Sequence, residues 1–142
     1  MNIDSASFFA GLADEMNAHP DQFLGDADMV AALVLRKPEG DFAVKVTFEA
    51  LGVKSVEEIS AADASKADYY LDGQIAAWQA MFDDILEHGA ASGRMTINSL
   101  ALLATDIRLR GNDPMGTDKF SRFNQSLQVY LDGAARTAVA AG

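Results

Sequence analysis

Apolar side chains change their spacing several times along this chain, and each change marks a new element. Phe8, Phe9, Leu12 and Met16 form one stripe at helical spacing, predicting a helix over 4–18 capped by Asp4 or Ser5. His19-Pro20 ends it, because the residue before a proline is pushed out of helical geometry. A short helical turn at 21–24 follows. From Met29 the period becomes two: Met29, Ala31, Leu33 and Leu35 share one face and Val30, Ala32 and Val34 the other, so this strand is expected to be covered on both sides. Pro38-Glu39-Gly40-Asp41 carries turn chemistry. Beyond it Phe42, Val44, Val46 and Phe48 alternate with Ala43, Lys45, Thr47 and Glu49, a half-buried strand that completes a hairpin. Residues 53–59 alternate poorly around Val56 and Ile59 and predict a short edge strand, with a polar loop over 61–66.

The stretch 67–109 organises the remainder. An alternating run over 67–71 meets a predicted turn at Asp72-Gly73. Ile75, Trp78, Phe82, Ile85 and Leu86 then return to helical spacing. Small residues at 89–93 break that helix, the alternating run 94–98 reads as a fifth strand, and another helix is predicted from Ser99 to about 110. Residues 111–116 form a loop, and a last helix starts at Thr117 or Asp118 with Phe120, Phe123, Leu127, Tyr130, Leu131 and Ala134 on one stripe. The small-residue end from 134 onwards is expected to fray or pack loosely. The pattern predicts an α+β fold, a single mixed sheet of about five strands covered by helices, in one domain over 1–142.

Composition narrows the function more by exclusion than by signal. Eleven Lys and Arg face 21 Asp and Glu, a net charge of −10, which repels phosphate backbones and anionic headgroups. Nucleic acid and stable membrane association are therefore not expected, and no apolar run approaches the ~20 residues that cross a bilayer. The absence of cysteine removes disulfides, thiol nucleophiles and thiolate metal sites. An N-terminus with acids and no basic segment argues against a signal peptide, and a cytoplasmic location is the expectation.

Candidate chemistry is thin. Glu15/His19 and Asp84/His88 have helical spacing, but each supplies too few ligands for zinc and each histidine suits the last turn of its helix. Asp83, Asp84 and Glu87 form the solvated side of the helix carrying Trp78. Tyr69 and Tyr70 are adjacent in a strand and point to opposite faces, so one of them is inside and able to donate a hydrogen bond to a ligand or to the protein. No phosphate loop or nucleophile elbow is present, and no cofactor, metal or catalytic set is expected. What remains is a supply of large soft side chains. Tyr69, Trp78, Met81, Phe82, Met95, Leu103, Phe120, Phe123 and Leu127 are the candidate lining of an apolar pocket; for each, plain core packing is the competing reading.

Phe42 to Phe48, Ala67-Asp68-Tyr69-Tyr70-Leu71, Ile75 to Phe82 and Gly93-Arg94-Met95-Thr96-Ile97 together resemble the sterol carrier protein 2-like (SCP-2) lipid-binding domain family over most of 28–110. The chain departs from the family pattern where Asn98-Ser99 replaces Gly-Asp, although Ser99 retains the ability to cap a following helix. The resemblance implies an SCP-2-like α+β fold and a tunnel between sheet and helices for a fatty acid, acyl-CoA or sterol, held without covalent chemistry.

Two other functions fit the sequence. One is a small α+β isomerase or cyclase working on an apolar substrate with a buried carboxylate and a tyrosine, for which Glu49, Tyr69 and Tyr70 are the candidates. The other is a non-catalytic subunit whose apolar face closes a homo-oligomer or meets a partner enzyme.

Overall fold

The computed structural model describes residues 2–22, 26–102 and 106–141. Helix α1 (Ala6–Ala18) begins at Ser5, whose hydroxyl accepts the Phe8 N–H, and strands β1 (Met29–Arg36), β2 (Phe42–Glu49) and β3 (Gly52–Ile59) follow as an antiparallel meander. A 3-10 segment (Ala61–Lys66) carries the chain back to β4 (Tyr69–Gln74), which lies parallel to β1. Helix α2 (Ile75–His88), a second 3-10 turn (Gly93–Met95), α3 (Ile97–Leu102), β5 (Ile107–Arg110), α4 (Pro114–Asp132) and α5 (Ala134–Ala141) complete it. The five strands form one mixed sheet in the order β3-β2-β1-β4-β5, and β1 at its centre is the strand with apolar side chains on both faces.

Register explains which residues meet. Leu33 lies opposite Val44 on β2 and Leu71 on β4, and Ala31 opposite Val46 and Tyr69, so the inner face is a continuous apolar surface. Helices α1, α2 and α4 lay Phe9, Leu12, Met16, Trp78, Phe82, Phe120, Leu127 and Tyr130 on it, all buried. The outer face carries a small cluster of Ala32, Val34, Ala43 and Ala64, with Tyr70 packed against it.

Several expectations are corrected by the backbone. The run 94–98 is not a strand: it forms the 3-10 turn and the start of α3, and the Ile97 N–H goes to the Gln128 side chain at 2.6 Å instead of to a ladder. The fifth strand is β5, inside the segment expected to be helical to 110; Ile107 and Leu109 face inwards while Arg108 and Arg110 are exposed. Asp72-Gly73 is no turn but part of β4. Gly73 is needed there because a Cβ would stand 2.6 Å from the Asp106 carbonyl oxygen on the neighbouring chain segment. Helix α4 starts earlier than expected, with Asp113 accepting the Met115 N–H and Pro114 in the first turn, where a missing N–H costs nothing. Residues 134–141 form α5, which is anchored by buried Ala134 and by Arg136 bonding Glu15. The segment 61–66 is likewise helical in the 3-10 sense, with Ala64 buried. Of the turn expected at 21–24, the 3-10 helix Pro20–Gln22 is described and 23–25 lie outside the described residues.

The poor alternation of 53–59 has a structural cause. Thr47 faces Ser55 but Phe48 faces Val53, so Lys54 is an extra residue in β3. This bulge exchanges the faces, and Val53 and Val56 both reach the inner cluster although they are three apart.

Candidate functional site

Among the described residues, three large side chains carry a hydroxyl or ring N–H into the apolar interior between sheet and helices, and each is anchored differently. Trp78, in the first turn of α2, donates its indole N–H to the Val34 carbonyl at 3.0 Å, pinning the helix to the central strand. Tyr130 on α4 donates to the Phe9 carbonyl at 2.8 Å and sets its ring edge-on to Phe48, 5.5 Å between centroids. Tyr69 on β4 has a weaker partner: its hydroxyl lies 3.1 Å from the Met29 sulfur, and a thioether accepts poorly. Burial drives the Tyr69 and Tyr130 hydroxyls well above the ordinary tyrosine range, with Asp68 adding to the effect at Tyr69, so both keep their protons near neutral pH.

Tyr69, Trp78, Met81, Phe82, Phe120 and Leu127 are all buried in the same cluster; Met95 and Phe123 pack against it half-buried, and Leu103 lies outside the described residues. Tyr69 meets Phe120 edge-on at 5.5 Å. Phe82 sits in a different group, with Phe8 at 5.1 Å and Phe9 at 6.4 Å. The candidates therefore divide between a Tyr69–Phe120 end and a Phe82 end of one apolar layer. Residues outside the candidate set lie in the same layer: Met29, Phe42, Phe48 and Tyr130. Their signal in the sequence is the strict alternation in β1 and β2 and the stripe of α4, a pattern that marks core without distinguishing lining.

Of the two tyrosines, Tyr69 is the inner one. Glu49 is not inside: its side chain is 59% exposed and pairs with Lys54 at 3.3 Å. Among the described residues Ser126 is the one buried polar side chain, and the three groups above are satisfied. Asp68, at the head of β4, is half-buried and works structurally, accepting the Val30 N–H at 2.8 Å and Lys119 at 3.3 Å. His19 and His88 pair with Glu15 and Asp84 at 3.2 and 3.0 Å on helix ends, and no group of three or more metal-ligating side chains occurs among the described residues.

Two of the surface clefts flanking the sheet lie at opposite ends of β1. One, of about 390 Å³, opens over the start of β1 and is lined by Met29, Phe48, Asp28, Glu49, Asp68 and Lys119. The other, of about 580 Å³, lies beyond the ends of β1 and β4. There Asp72 holds Arg36 through two bonds of 2.7 and 2.9 Å and Arg110 at 3.6 Å, while Arg36 also reaches Asp41 at 2.7 Å. No local pattern in the sequence announces that constellation, since Arg36 and Arg110 stand 36 and 38 positions from Asp72. Its charges close on one another and link β1, β4 and β5 on the outer face.

The geometry defines a class: one mixed five-stranded sheet with an apolar layer sealed beneath helices. A solved structure shares it. The solution structure of a conserved hypothetical protein from Thermus thermophilus, whose description raises sterol carrier protein as a possibility, superposes with a TM-score of 0.65 over 96% of this chain and 90% of that one, at 16% identity. This establishes the likeness of fold. No protein-family model and no curated protein matches the sequence. No helix among the described residues is long and apolar enough to cross a membrane.

Proposed function

We propose that residues 1–142 form a single SCP-2-like domain that binds, without catalysis, an apolar ligand such as a fatty acid, an acyl-CoA or a sterol between the sheet and its helices, and passes it on in the cytoplasm. The observation that carries this reading is the inner apolar layer itself: broad, rich in aromatic and methionine side chains, and furnished with one hydroxyl, that of Tyr69, whose described hydrogen-bond partner is a thioether. The candidate lining residues Tyr69, Trp78, Met81, Phe82, Met95, Leu103, Phe120, Phe123 and Leu127 are proposed to contact the ligand. Met16, Met29 and Met81 are unbranched and buried in that layer, so they can repack around a guest at modest cost. Removing on the order of 350 Å² of ligand surface from water at about 25 cal/mol per Å² yields roughly 9 kcal/mol gross. After association costs of about 4 kcal/mol or more, about 5 kcal/mol at most remains, which suits sub-millimolar binding from this surface alone. The likeness of fold to the Thermus protein supports the same reading.

Native mass spectrometry of the purified protein, together with thermal denaturation in the presence of fatty acids, acyl-CoA and sterols, tests it. A co-purified lipid, or a rise in Tm that grows with ligand concentration, is expected. An unliganded mass and no shift with any apolar compound would remove the proposal.

A further inference from the structure

The smaller cleft and the Tyr69 hydroxyl lie on either side of one side chain. Met29 lines the cleft and is itself only 2% exposed, and its sulfur is the hydrogen-bond partner of the Tyr69 hydroxyl beneath it. Phe48 forms the cleft's second apolar wall and leads on to Tyr130, while Tyr69 leads on to Phe120, so the floor under Met29 is aromatic on both sides. Methionine has three rotatable side-chain bonds and no branch, so it is a side chain well suited to turning aside between the cleft and the buried hydroxyl.

The charges around this opening are of unequal number. Asp28, Glu49 and Asp68 line it with one cation, Lys119. Lys119 is already engaged by Asp68, and Glu49 reaches outwards to Lys54, so the rim keeps an excess of negative charge. A carboxylate or phosphate entering here would be repelled by that rim, within a chain whose net charge is −10. A hydroxyl, ketone or ester oxygen would meet no such penalty. It would offer the Tyr69 hydroxyl a better acceptor than sulfur, and a protonated tyrosine is a donor suited to such an oxygen.

We infer that Met29 is the gate of the apolar layer and that Tyr69 selects uncharged, oxygen-bearing amphiphiles, such as long-chain alcohols, methyl ketones or hydroxylated polycyclic lipids, over the corresponding acids. The inference rests on the ligand-binding reading above and narrows it to one ligand chemistry and one entrance.

The test uses a pair of probes of equal chain length, 1-dodecanol and dodecanoate, titrated at pH 7.5 below their aggregation limits, with binding followed by isothermal calorimetry. The expected result is dodecanol binding at least about tenfold more tightly than dodecanoate. Tyr69→Phe should weaken dodecanol binding and so lose part of that preference, the rim's repulsion of dodecanoate remaining. The Tyr69→Phe protein keeps the ring that packs on Phe120, and its unliganded Tm reports that it folds. Met29→Leu supplies a second readout: with the sulfur acceptor gone from the Tyr69 hydroxyl, the unliganded protein should lose stability, read as a fall in its Tm. Dodecanoate binding as tightly as dodecanol, or an undiminished preference in Tyr69→Phe, overturns the selection but leaves ligand binding intact. Tight dodecanoate binding abolished by Lys119→Gln reverses the assignment in favour of an acid headgroup. Failure of both probes together with every other apolar compound overturns the binding reading itself.

Discussion

Asn17 treats Val53 as a β-strand would. Its side-chain oxygen accepts the Val53 N–H at 2.8 Å and its amide donates to the Val53 carbonyl at 3.0 Å, so the last turn of α1 closes the ladder on the outer edge of β3. An edge strand exposes such groups as a template for another chain, and here one residue of that edge is satisfied from within. Two part-buried hydrogen bonds, each worth roughly 0.5–1.5 kcal/mol, predict that Asn17→Ala costs about 1–3 kcal/mol. Chemical denaturation with an unchanged m-value would measure it, and a loss below ~0.5 kcal/mol would deny the contact its role. Gly52 belongs to the same device, because a Cβ there would stand 2.8 Å from the Asn17 oxygen. Gly52→Ala should therefore destabilise by displacing Asn17, and the double variant should cost less than the sum of the two.

Gly116 is the stronger steric constraint. A Cβ at this position would collide with the Asp68 carbonyl oxygen, and backbone cannot yield as a flexible side chain can. Gly116→Ala is expected to push α4 away from β4 at a cost of about 1–3 kcal/mol or more, with larger loss of near-UV than of far-UV circular dichroism. A wild-type Tm would contradict it.

Ala50 offers the opposite sign. It holds φ at +55° in the turn between β2 and β3, fixed by its own carbonyl accepting the Ala27 N–H at 2.9 Å. Left-handed backbone costs an alanine roughly 1–2 kcal/mol, and the extra unfolded-state entropy of glycine returns about 0.4–1 of that. Ala50→Gly should thus raise stability by about 0.5 kcal/mol. A fall in the denaturation midpoint would show that the turn is not under this strain.

Two aspartates bonded to the segment after α2 should respond oppositely to pH. Asp84 accepts the Ser92 N–H at 2.8 Å, and that bond holds its carboxyl below the ordinary value of 3.8. Its contribution is present above pH 3.8 and disappears as the pH falls through its lowered folded value. Asp132 accepts the Ala91 N–H, but desolvation dominates and raises it above 3.8. The folded state then binds the proton more readily, so this group's contribution worsens as pH rises through its raised value. Asp84→Asn is expected to destabilise at about pH 7, with an effect that shrinks as the pH falls below 3.8. Asp132→Asn, which keeps an acceptor for Ala91, should be near neutral or stabilising at about pH 7. Urea midpoints between roughly pH 3 and 7 would separate the two, and parallel profiles would refute the assignment.

The elements most visible in the sequence are those whose apolar period is unbroken by a neighbour's needs. The hairpin of β1 and β2, with Leu33 and Val44 as facing partners, and the stripe of α2 around Trp78 follow directly from spacing. The places where spacing misleads are those where a distant group supplies the bonding. Arg94 to Asn98 alternates like a strand, yet Gln128 bonds the Ile97 N–H, Thr96 bonds the Ser99 N–H, and among the described residues no strand pairs with it. Gly73 imitates a turn residue because its true reason, the approach of Asp106, comes from 33 positions further on. That the candidate residues belong to the core is legible in their spacing, but how they meet is not. That Tyr69 rather than Tyr70 faces inwards depends on parallel pairing with Ala31, and that its partner is Met29 depends on the sheet order; neither is a local property.

The bond from Tyr130 to the Phe9 carbonyl, seconded by Arg136 to Glu15, joins residues 121 positions apart. On a ribosome, α1 and the three-stranded meander would emerge and pair long before the helices that close over Phe48 and Phe9 exist. The growing chain thus carries the part of its inner apolar surface around Phe48 uncovered until α4 and its Tyr130 have been made. A truncation before Tyr130 should accordingly yield not merely a less stable fold but a chain that aggregates through the face that α4 covers.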